Sequence, residues 1–419
     1  MGRSIVTTTL ARELWSRLRP GQWPVPPEAF PAGSALVGGA VRDALLERRL
    51  ERPDLDVVVP VEAVALCRGL ARDWGGTAVV LDASRSMARL VLGDWTIDMA
   101  RQEGPSLEHD LRRRDYSVNA IAVRLPPSQL SVVDPCNGLQ DGQAQRLRAV
   151  SQANLMDDPL RLLRGLRLAA ELSFSIETRT WRWIRMGACH LRRTAPERVL
   201  MELQRLVAAP LPASGIGLLI RSGLLRPWER RHTLAMAGRL DAAGALERGL
   251  QPVEIASALP LARLALMLSG EGLSRLKASR RLQQRCRALQ RWLPSREADA
   301  WSTGLETDLA GWEDQRRLRL QRELEQDLPA WLLLAPTAMA RRWMERWRDA
   351  GDPLFHPGSP LDGRSLQASL GLEPSPRLGQ VLDHLTLERA FGRIREPAEA
   401  LLEAQRFLDR QSGSTPAAG

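Results

Sequence analysis

The residues best suited to chemistry lie near the N-terminus, in the segment Leu36–Asp43 and in the segment that follows it. In the first segment, Gly38 and Gly39 come after an apolar run and before a helical pattern. Glycines at such a turn let the backbone approach an anion closely, and the free N–H groups at the start of a helix favour anionic oxygens. Arg42 projects from the first helical turn towards the same anion. The segment therefore predicts a site for a polyphosphate.

Two carboxylates follow this predicted anion site. Asp54 and Asp56 are separated by one residue at the start of a predicted strand, so both side chains should point to the same face. Such a pair can hold Mg²⁺, and two ions, one at an attacking hydroxyl and one at a leaving phosphate, support in-line nucleotidyl transfer. Asp98, at the end of the predicted strand Trp95–Asp98, is the candidate third carboxylate. We expect catalytic roles for all three aspartates and metal binding by Asp54 and Asp56.

Short β-branched runs in the first 150 residues predict the sheet that would position these groups. The runs are Ser34–Val37, Asp56–Val59, Thr77–Leu81, Ala88–Leu92 and Trp95–Asp98. Helical patterns over Val41–Arg49 and Glu62–Trp74 alternate with the runs, which predicts an α/β or α+β domain.

Strand patterns nearly vanish from about residue 154 onwards, and a 3.6-residue periodicity takes over. Helices are predicted over Asp158–Leu172, Ala195–Val207, Ala258–Leu268, Trp312–Leu328 and Pro336–Ala350. The segment 411–419 has no periodicity and is predicted to be disordered.

Composition and charge narrow the classes of protein further. With 419 residues, of which 44% are hydrophobic and 26% charged, the chain is predicted to fold into several domains, which excludes wholesale disorder. The formal net charge of +10 predicts an anionic partner. Almost all of the positive charge is arginine, which suits phosphate contacts but also fits a codon bias towards GC.

The four cysteines lie tens of residues apart and form no CxxC pair. They are therefore predicted to be reduced, buried thiols of a cytoplasmic protein. We expect neither a signal peptide nor a membrane span, because no apolar stretch is long enough.

The sequence of residues 36–59, LVGGAVRDALLERRLERPDLDVVV, resembles the N-terminal signature of one enzyme family. This is the class II tRNA nucleotidyltransferase and poly(A) polymerase family, within the DNA polymerase β-like nucleotidyltransferases. The resemblance implies an α+β fold: a polymerase β-like nucleotidyltransferase head, with a mixed sheet and helices, followed by an all-helical neck, body and tail. The expected bounds are 1–149 for the head, 150–212 for the base-selecting neck, 213–350 for the body and 351–410 for the tail.

A second motif, Asp110–Ala122, resembles the family's RRDxxxNA segment. By this resemblance, Arg114 contacts the phosphates of the nucleotide and Asp115 contacts its ribose. The chemistry agrees, because a guanidinium pairs with phosphate and a carboxylate accepts a hydrogen bond from a ribose hydroxyl.

A third motif, Asn154–Arg164, resembles the family's EDxxR segment, with Asp157 in place of the usual Glu. In the family the counterparts of Asp158 and Arg161 select CTP or ATP, and that of Arg164 also touches the nucleotide. Asp158 and Arg161 are three residues apart, which predicts neighbours on one helical face that can pair with the edge of a base.

Two further segments extend the resemblance over most of the chain. Thr194–Glu202 resembles the SxERxxxE helix that supports the base-selecting helix from behind. Leu361–Gly379 resembles the tail segment of bacterial members, which holds the tRNA elbow. The expected partners are therefore the acceptor stem and elbow of tRNA, with CTP and ATP as nucleotides and Mg²⁺ as cofactor.

The spacing before the second motif bears on which nucleotides are added. Only Gln102–His109 separates the strand from Asp110, and this short interval resembles the loop-deleted members that add only C residues. We expect CC addition, with complete CCA addition as the nearest alternative and a separate A-adding enzyme as a partner acting in sequence. Poly(A) polymerase or A-adding activity in the same family, a silent RNA-binding protein and transfer to a non-RNA acceptor remain rival interpretations.

Overall fold

The computed structural model describes residues 5–6, 8–48, 53–125, 128, 130–209, 212–293 and 313–412. Arg49 and Arg52 of the first motif, Trp312 at the start of a predicted helix and residues 413–419 of the predicted disordered tail lie outside them. The prediction of disorder is wrong for Gln411 and Ser412, which continue the helix Pro397–Ser412. The chain forms two compact units, Met1–Leu211 with Arg221–Leu225, and Pro212–Ile220 with Arg226–Gly419. The finer division into head, neck, body and tail stays a prediction.

The first unit is built on one mixed sheet. Its strands are β1 (Ile5–Val6), β2 (Ala35–Val37), β3 (Leu55–Val59), β4 (Thr77–Asp82), β5 (Met87–Leu92), β6 (Trp95–Arg101), β7 (Ala122–Arg124) and β8 (Val132–Val133). Within the described residues these eight strands stand in the order β1-β8-β7-β2-β3-β6-β5-β4. All five predicted strands are confirmed, with β6 continuing beyond Asp98 to Arg101.

The centre of the sheet fixes the positions of the predicted carboxylates. Strand β3 pairs antiparallel with β2 and parallel with β6, so Val37, Asp56 and Asp98 stand side by side across three strands. Strand β5 then pairs antiparallel with β6 and places Arg89 opposite Asp98. Since side chains alternate between the faces of a sheet, this register presents Asp56 and Asp98 on one face.

Helices flank the sheet and then replace it along the chain. The helices up to residue 208 are α1 (Thr8–Leu18), α2 (Gly39–Leu45), α3 (Ala63–Trp74), α4 (Leu107–Arg112), α5 (Gly138–Gln143), α6 (Gln152–Asp157), α7 (Leu160–Leu172), α8 (Thr178–Gly187) and α9 (Pro196–Ala208). Three-residue or longer 3₁₀ turns occur at Pro20–Gln22, Pro27–Ala29, Ser117–Asn119 and Ala188–Arg193. In a small parallel pair, β9 (Arg146–Leu147) bonds with β10 (Ser175–Ile176), which lies between α7 and α8.

The bounds of four predicted helices differ in the structure. The helix predicted over Ala258–Leu268 begins at Pro252, and the helix predicted to reach Leu328 ends at Leu324. The helix predicted over Val41–Arg49 begins at Gly39 and ends at Leu45, because the chain turns at Glu47, whose φ of 55° is left-handed. The helix predicted from Asp158 begins at Leu160, since Asp158 has an extended backbone. The ring of a proline disfavours helical backbone angles in the residue before it, which accounts for the break before Pro159.

The second unit is helical throughout its described residues. The helices from residue 212 onwards are α10 (Pro212–Ser222), α11 (Arg231–Ala237), α12 (Ala242–Glu247), α13 (Pro252–Met267), α14 (Gly270–Arg275), α15 (Arg280–Arg291), α16 (Asp314–Leu324), α17 (Leu328–Leu332), α18 (Thr337–Arg348), α19 (Gly363–Leu370), α20 (Pro376–Ala390) and α21 (Pro397–Ser412). Its core includes fully buried Leu266, Trp331 and Phe355. With the mixed sheet of the first unit, this architecture confirms the predicted α+β fold.

No helix among the described residues is long and apolar enough to cross a membrane. All four cysteines are free thiols. Cys67 and Cys286 are buried as predicted and Cys136 is partly buried, but Cys189 is exposed. The prediction of a buried thiol is therefore wrong for Cys189, because the 3₁₀ turn Ala188–Arg193 turns that side chain outwards.

A fully buried carboxylate, Asp141 of α5, connects that helix with Ser117 and with the arginines in and after β9. It accepts hydrogen bonds from Ser117 Oγ at 2.6 Å, Arg146 Nε at 2.9 Å and Arg148 Nε at 2.7 Å. Burial alone would raise the pKa of Asp141, but the bonds from Arg148, Ser117 and Arg146 outweigh it and hold the pKa below its usual value. The stabilisation is therefore present above pH 4 to 5 and is lost as the pH falls through the lowered pKa.

We predict that Asp141→Asn lowers the free energy of unfolding by about 2 kcal/mol at pH 7, because it removes the charged partner of two arginines. Urea unfolding measures the difference, which should shrink as the pH falls below about 4. Asp73→Asn, on an exposed residue of α3, is the matched control and should change the stability by less than about 0.5 kcal/mol. Equal effects of the two substitutions would contradict the role given to Asp141.

Candidate active site

The predicted anion turn lies directly over the predicted carboxylates. Gly38 caps the N-terminus of α2 with φ 75° and ψ −135°, a conformation that is essentially restricted to glycine. A Cβ atom on Gly38 would stand 3.0 Å from Asp56 Oδ2 and 3.7 Å from Arg114 Nη1. Gly39 follows as the first helical residue. The turn therefore needs glycine for its backbone and for the approach of Asp56 and Arg114.

The two carboxylates of the predicted metal pair differ in environment. Asp54 is exposed and comes one residue before β3, whereas Asp56 is the second residue of that strand and is partly buried. Burial raises the pKa of Asp56 to about 6. Arg114 opposes that rise, while Asp98 and Asp54 add to it. Asp56 thus lies among like charges, where a bound cation would be favourable.

The candidate third carboxylate is held by an arginine. Asp98 accepts hydrogen bonds from Arg89 Nε at 2.6 Å and from Arg89 Nη2 at 2.8 Å, so each of its oxygens has a partner. No group of three or more His, Cys, Asp or Glu side chains in the described part of the chain is arranged to hold a metal ion. The oxygen donors of Asp54 and Asp56 suit a hard divalent cation, and the crowding of carboxylates around Asp56 fits one.

Arg42 is engaged within the protein instead of projecting freely towards the turn. Its Nε and Nη2 donate to the two oxygens of Asp43, both at 3.0 Å, and its Nη1 donates to Asn119 Oδ1 at 2.8 Å. Its Nη2 nevertheless lies 3.6 Å from the Cβ position of Gly39. The role of Arg42 at the anion turn stays a prediction, and its intramolecular partners are an addition that the sequence did not reveal.

Arg114 and Asp115, the two residues of the second motif predicted to contact the nucleotide, are adjacent but differ in how fully they are hydrogen-bonded. Arg114 donates to Asp110 Oδ2 at 3.3 Å, and its buried Nε has no hydrogen-bond partner among the described residues. Asp115 is buried and accepts from the Tyr116 N–H at 2.7 Å, Asn119 Nδ2 at 3.2 Å and Arg164 Nη1 at 3.4 Å.

The charges of these two residues suit different tasks. Burial alone would raise the pKa of Asp115, but the charge of Arg164 and the hydrogen bonds of Tyr116 and Asn119 hold it below the usual value. Asp115 is thus a fixed anion. Arg114 has donor capacity left for an anionic ligand.

The predicted base-selecting pair does not share a helix. Asp158 lies in the turn between α6 and α7, while Arg161 is in the first turn of α7, so the expected pairing on one helical face is wrong. They remain close, because the Arg161 N–H donates to the Asp158 carbonyl at 2.9 Å. The Asp158 carboxylate instead pairs with Arg198 of α9, whose Nη2 lies 2.9 Å from Oδ2.

Helix α9 also holds the back of α7, as the resemblance implied for its motif. The buried Glu202 accepts from Arg167 Nε at 2.7 Å and from Arg164 Nε at 3.5 Å. Since Arg164 also donates to Asp115, one arginine connects α9 with the second motif.

Three polar residues that we did not single out from the sequence align the motifs with one another. Asn119 bonds both Arg42 and Asp115. Asn154 donates through Nδ2 to the carbonyls of Arg112 and Arg114, at 2.8 and 2.7 Å. Tyr116 donates its hydroxyl to the Arg161 carbonyl at 2.8 Å. Their presence inside the quoted motifs was the available signal, but their partners depend on the folded chain.

Comparison with known proteins identifies the family and the fold. A family described as "Poly A polymerase head domain" matches residues 34–148, and one described as "Probable RNA and SrmB- binding site of polymerase A" matches residues 173–229. The solved structure of a CCA-adding enzyme with CTP has a TM-score of 0.70 at 20% identity and covers 97% of this chain and 100% of its own. The Thermotoga maritima CCA-adding enzyme with tRNA has a TM-score of 0.64 at 21% identity, over 90% of this chain and 91% of its own. At these identities the structures show a shared fold.

Closer relatives extend over nearly the whole chain. The CC-adding tRNA nucleotidyltransferase of Synechocystis is 34% identical over 405 residues, covering 90% of this chain and 94% of its own. The A-adding tRNA nucleotidyltransferase of Deinococcus radiodurans is 34% identical over 454 residues, covering 93% and 99%. The chain therefore belongs to the class II tRNA nucleotidyltransferase and poly(A) polymerase family and is a nucleotidyltransferase.

Proposed function

We propose that the enzyme adds CMP residues from CTP to the 3′ end of tRNA without a nucleic-acid template and releases pyrophosphate. One juxtaposition supports this most: the Gly38 turn and Arg114 lie against the Asp56 carboxylate, which stands beside Asp98. An anion site directly over carboxylates is what transfer at a nucleotide α-phosphate requires.

Enzymes of this family generally use divalent metal ions, and we assign Mg²⁺ to the carboxylates of Asp54 and Asp56. When bound, the cation would lower the pKa of the RNA 3′-hydroxyl and stabilise the charge that develops at the α-phosphate. Asp98, held in a fixed orientation by two bonds from Arg89, adds a second carboxylate beside Asp56.

The triphosphate would lie at the start of α2. The backbone N–H groups of Gly38 and Gly39 and the guanidinium groups of Arg42 and Arg114 are the donors for its oxygens. The buried Arg114 Nε has no hydrogen-bond partner among the described residues, so this guanidinium has donor capacity that the fold does not use. Asp115 would accept a hydrogen bond from a ribose hydroxyl with lone pairs that its three present donors leave free.

Selection of the base is assigned to Asp158 and Arg161, with Arg164 touching the nucleotide. A carboxylate accepts and a guanidinium donates along the edge of cytosine, which itself has both a donor and acceptors. Arg198 fixes the direction of the Asp158 carboxylate through two bonds, at 3.4 and 2.9 Å, and so limits the patterns that the base can meet.

The link between β6 and α4 favours addition of C alone. Only Gln102–Ser106 joins Arg101 to Leu107, and the link is tied back by the Glu103 N–H, which donates to Asp110 Oδ1 at 3.1 Å. A Cβ atom on Gly104 would lie 2.2 Å from the ring of His109, so the link is also tightly packed. A segment this short and fixed is unsuited to a switch of specificity from C to A.

The relatives leave addition of A instead of C as one close alternative. CC-adding and A-adding tRNA nucleotidyltransferases both match over most of the chain, whereas the CCA-adding enzyme of Streptococcus uberis matches 42% of it. A CC-adding enzyme requires a separate A-adding enzyme acting after it on the same cytoplasmic tRNA, contacted at its acceptor stem and elbow. A silent RNA-binding protein would not need the crowded carboxylates around Asp56.

We predict that Gly38→Ala lowers the rate of CMP incorporation at least about tenfold, because the new methyl group displaces the Asp56 carboxylate and strains the turn. Single-turnover incorporation from labelled CTP measures the effect. Gly75→Ala, also at positive φ but with no atom within 4 Å of its Cβ position, is the matched control. If both variants keep full activity, the close approach of the turn to Asp56 is irrelevant to catalysis.

The direct test of the function uses tRNA transcripts that lack the CCA end, end in CC or end in CCA, each with Mg²⁺ and labelled CTP or ATP. We predict two CMP additions to the first and no AMP addition to the second. Asp54→Ala and Asp56→Asn should each lower incorporation by about a hundredfold or more while tRNA binding persists. AMP added after CC would show that the enzyme completes the CCA end. No incorporation at all would favour the catalytically silent RNA-binding protein.

A further inference from the structure

Tyr116, the residue after the predicted ribose contact Asp115, reaches into helix α7. Its side chain is fully buried, and its hydroxyl donates to the Arg161 carbonyl at 2.8 Å. Burial, together with the charge of Asp115, raises the pKa of this phenol well above its usual value. The hydroxyl therefore stays protonated at neutral pH and remains a hydrogen-bond donor to the helix.

A glycine inside α7 makes room for this hydroxyl. A Cβ atom on Gly165 would lie 1.9 Å from the Tyr116 hydroxyl oxygen and 2.5 Å from its Cζ. Gly165 follows Arg161 by four residues, so its N–H is the helical partner of the Arg161 carbonyl. The hydroxyl shares that carbonyl with the helix. We call the space between Gly165 and the Arg161 carbonyl the tyrosine socket, and any side chain at position 165 would close it.

The backbone of Tyr116 is itself fixed within the first unit. It forms an antiparallel bridge with Ala149. Its N–H donates to Asp115 Oδ1 at 2.7 Å, and its carbonyl accepts from the Asn119 N–H at 3.0 Å. Since the side-chain torsions of a buried residue occupy a single rotamer, the fixed backbone also fixes the hydroxyl. The position of the second motif is thereby transmitted to α7.

The second motif also holds the guanidinium of Arg161. Arg161 Nη1 donates to the carbonyls of Arg113 and Asn154, both at 3.0 Å. Its Nε and Nη2 form no hydrogen bond or ion pair with a residue that the structure describes. Arg161 is therefore held at its backbone by Tyr116 and at one side-chain nitrogen by Arg113, while two donor groups remain for a base.

The spacing between two predicted nucleotide contacts depends on this arrangement. Asp115 is the predicted contact of the ribose and Arg161 that of the base, and Tyr116 joins them through one peptide unit and one hydrogen bond. In a nucleotide the distance from the ribose to the pairing edge of the base is fixed, and it is longer for a purine than for a pyrimidine. A carboxylate and a guanidinium held at one spacing therefore fit one ring size better than the other.

We propose that Tyr116 is a positioning residue that sets the preference for CTP over ATP, an inference that rests on the proposed function. Its hydroxyl, seated in the tyrosine socket, fixes the distance between the first turn of α7 and Asp115. That distance determines where Arg161 meets the base. Tyr116 acts through Arg161 and does not itself read the nucleotide. Without the hydroxyl the turn is less constrained, and Arg161 discriminates less between a pyrimidine and a purine.

The test uses Tyr116→Phe, which keeps the ring and removes only the hydroxyl. Ser117→Ala is the matched control, because Ser117 is also buried and its hydroxyl donates at 2.6 Å to Asp141 of α5 instead of to α7. The measured quantity is the ratio of kcat/KM for CTP to that for ATP on a tRNA transcript that lacks its CCA end. Melting temperatures of both variants report their stability.

We expect Tyr116→Phe to lower this ratio at least about fivefold, mainly through kcat/KM for CTP, with the affinity for tRNA unchanged. Ser117→Ala should keep the wild-type ratio even if its melting temperature falls as far. Gly165→Ala provides a second variant, because its methyl group would displace the hydroxyl from the tyrosine socket. It should lower the ratio at least as much as Tyr116→Phe.

Two results would overturn the inference. If Tyr116→Phe is less stable but keeps the wild-type ratio, the hydroxyl serves stability alone. If Ser117→Ala lowers the ratio equally, any loosening of the second motif has this effect and the tyrosine socket has no specific role. In both cases CMP addition by the wild type leaves the proposed function standing. A wild type that adds no CMP would instead reject the proposed function together with the inference.

Discussion

The buried carboxylate of Asp115 is the contact on which the arrangement of the site depends. It joins the Tyr116 N–H, the amide of Asn119 and the guanidinium of Arg164, which come from the sheet-bearing part of the first unit and from α7. A charge at this depth is costly unless it is fully paired, and removing one partner leaves the other uncompensated. The fold therefore keeps these groups together, and with them the Gly38 turn and the base-selecting residues.

Two uses of arginine follow from the same electrostatics. Arg164 and Arg167 are partly buried against Glu202, and α16 and α18 hold their arginines in intramolecular pairs. Those charges are neutralised within the protein. At Arg114, by contrast, one buried donor, Nε, has no hydrogen-bond partner among the described residues.

The sequence predicted most of the scaffold, because its signals were local. β-branched runs marked five strands, and glycines at 38 and 39 marked the turn over β3. The pairing of β3 with β6, which makes Asp56 and Asp98 neighbours, involves residues about 40 positions apart. Asp98 was singled out only because a metal site formed by Asp54 and Asp56 would be completed by a third carboxylate.

The partners of the polar side chains could not be predicted, because they come from distant parts of the chain. Spacing suggested that Asp158 faces Arg161, yet Pro159 ends the helix between them and Asp158 meets Arg198 of α9. Arg42 likewise meets Asn119, which is 77 residues away. Helical spacing describes neighbours within one element, whereas these contacts depend on tertiary packing.

We infer that the hydrogen-bonded series Asp115–Arg164–Glu202 holds the base-selecting residues in register with the nucleotidyltransferase centre. The most direct measurement is the ratio of kcat/KM for CTP to that for ATP in Glu202→Gln, a substitution that keeps the size of the side chain and removes its charge. We predict that this ratio falls at least about tenfold while the affinity for tRNA is unchanged, because Arg164 and α7 lose their fixed position. A Glu202→Gln variant that is less stable but keeps the wild-type ratio of kcat/KM for CTP to that for ATP would contradict this role of Glu202.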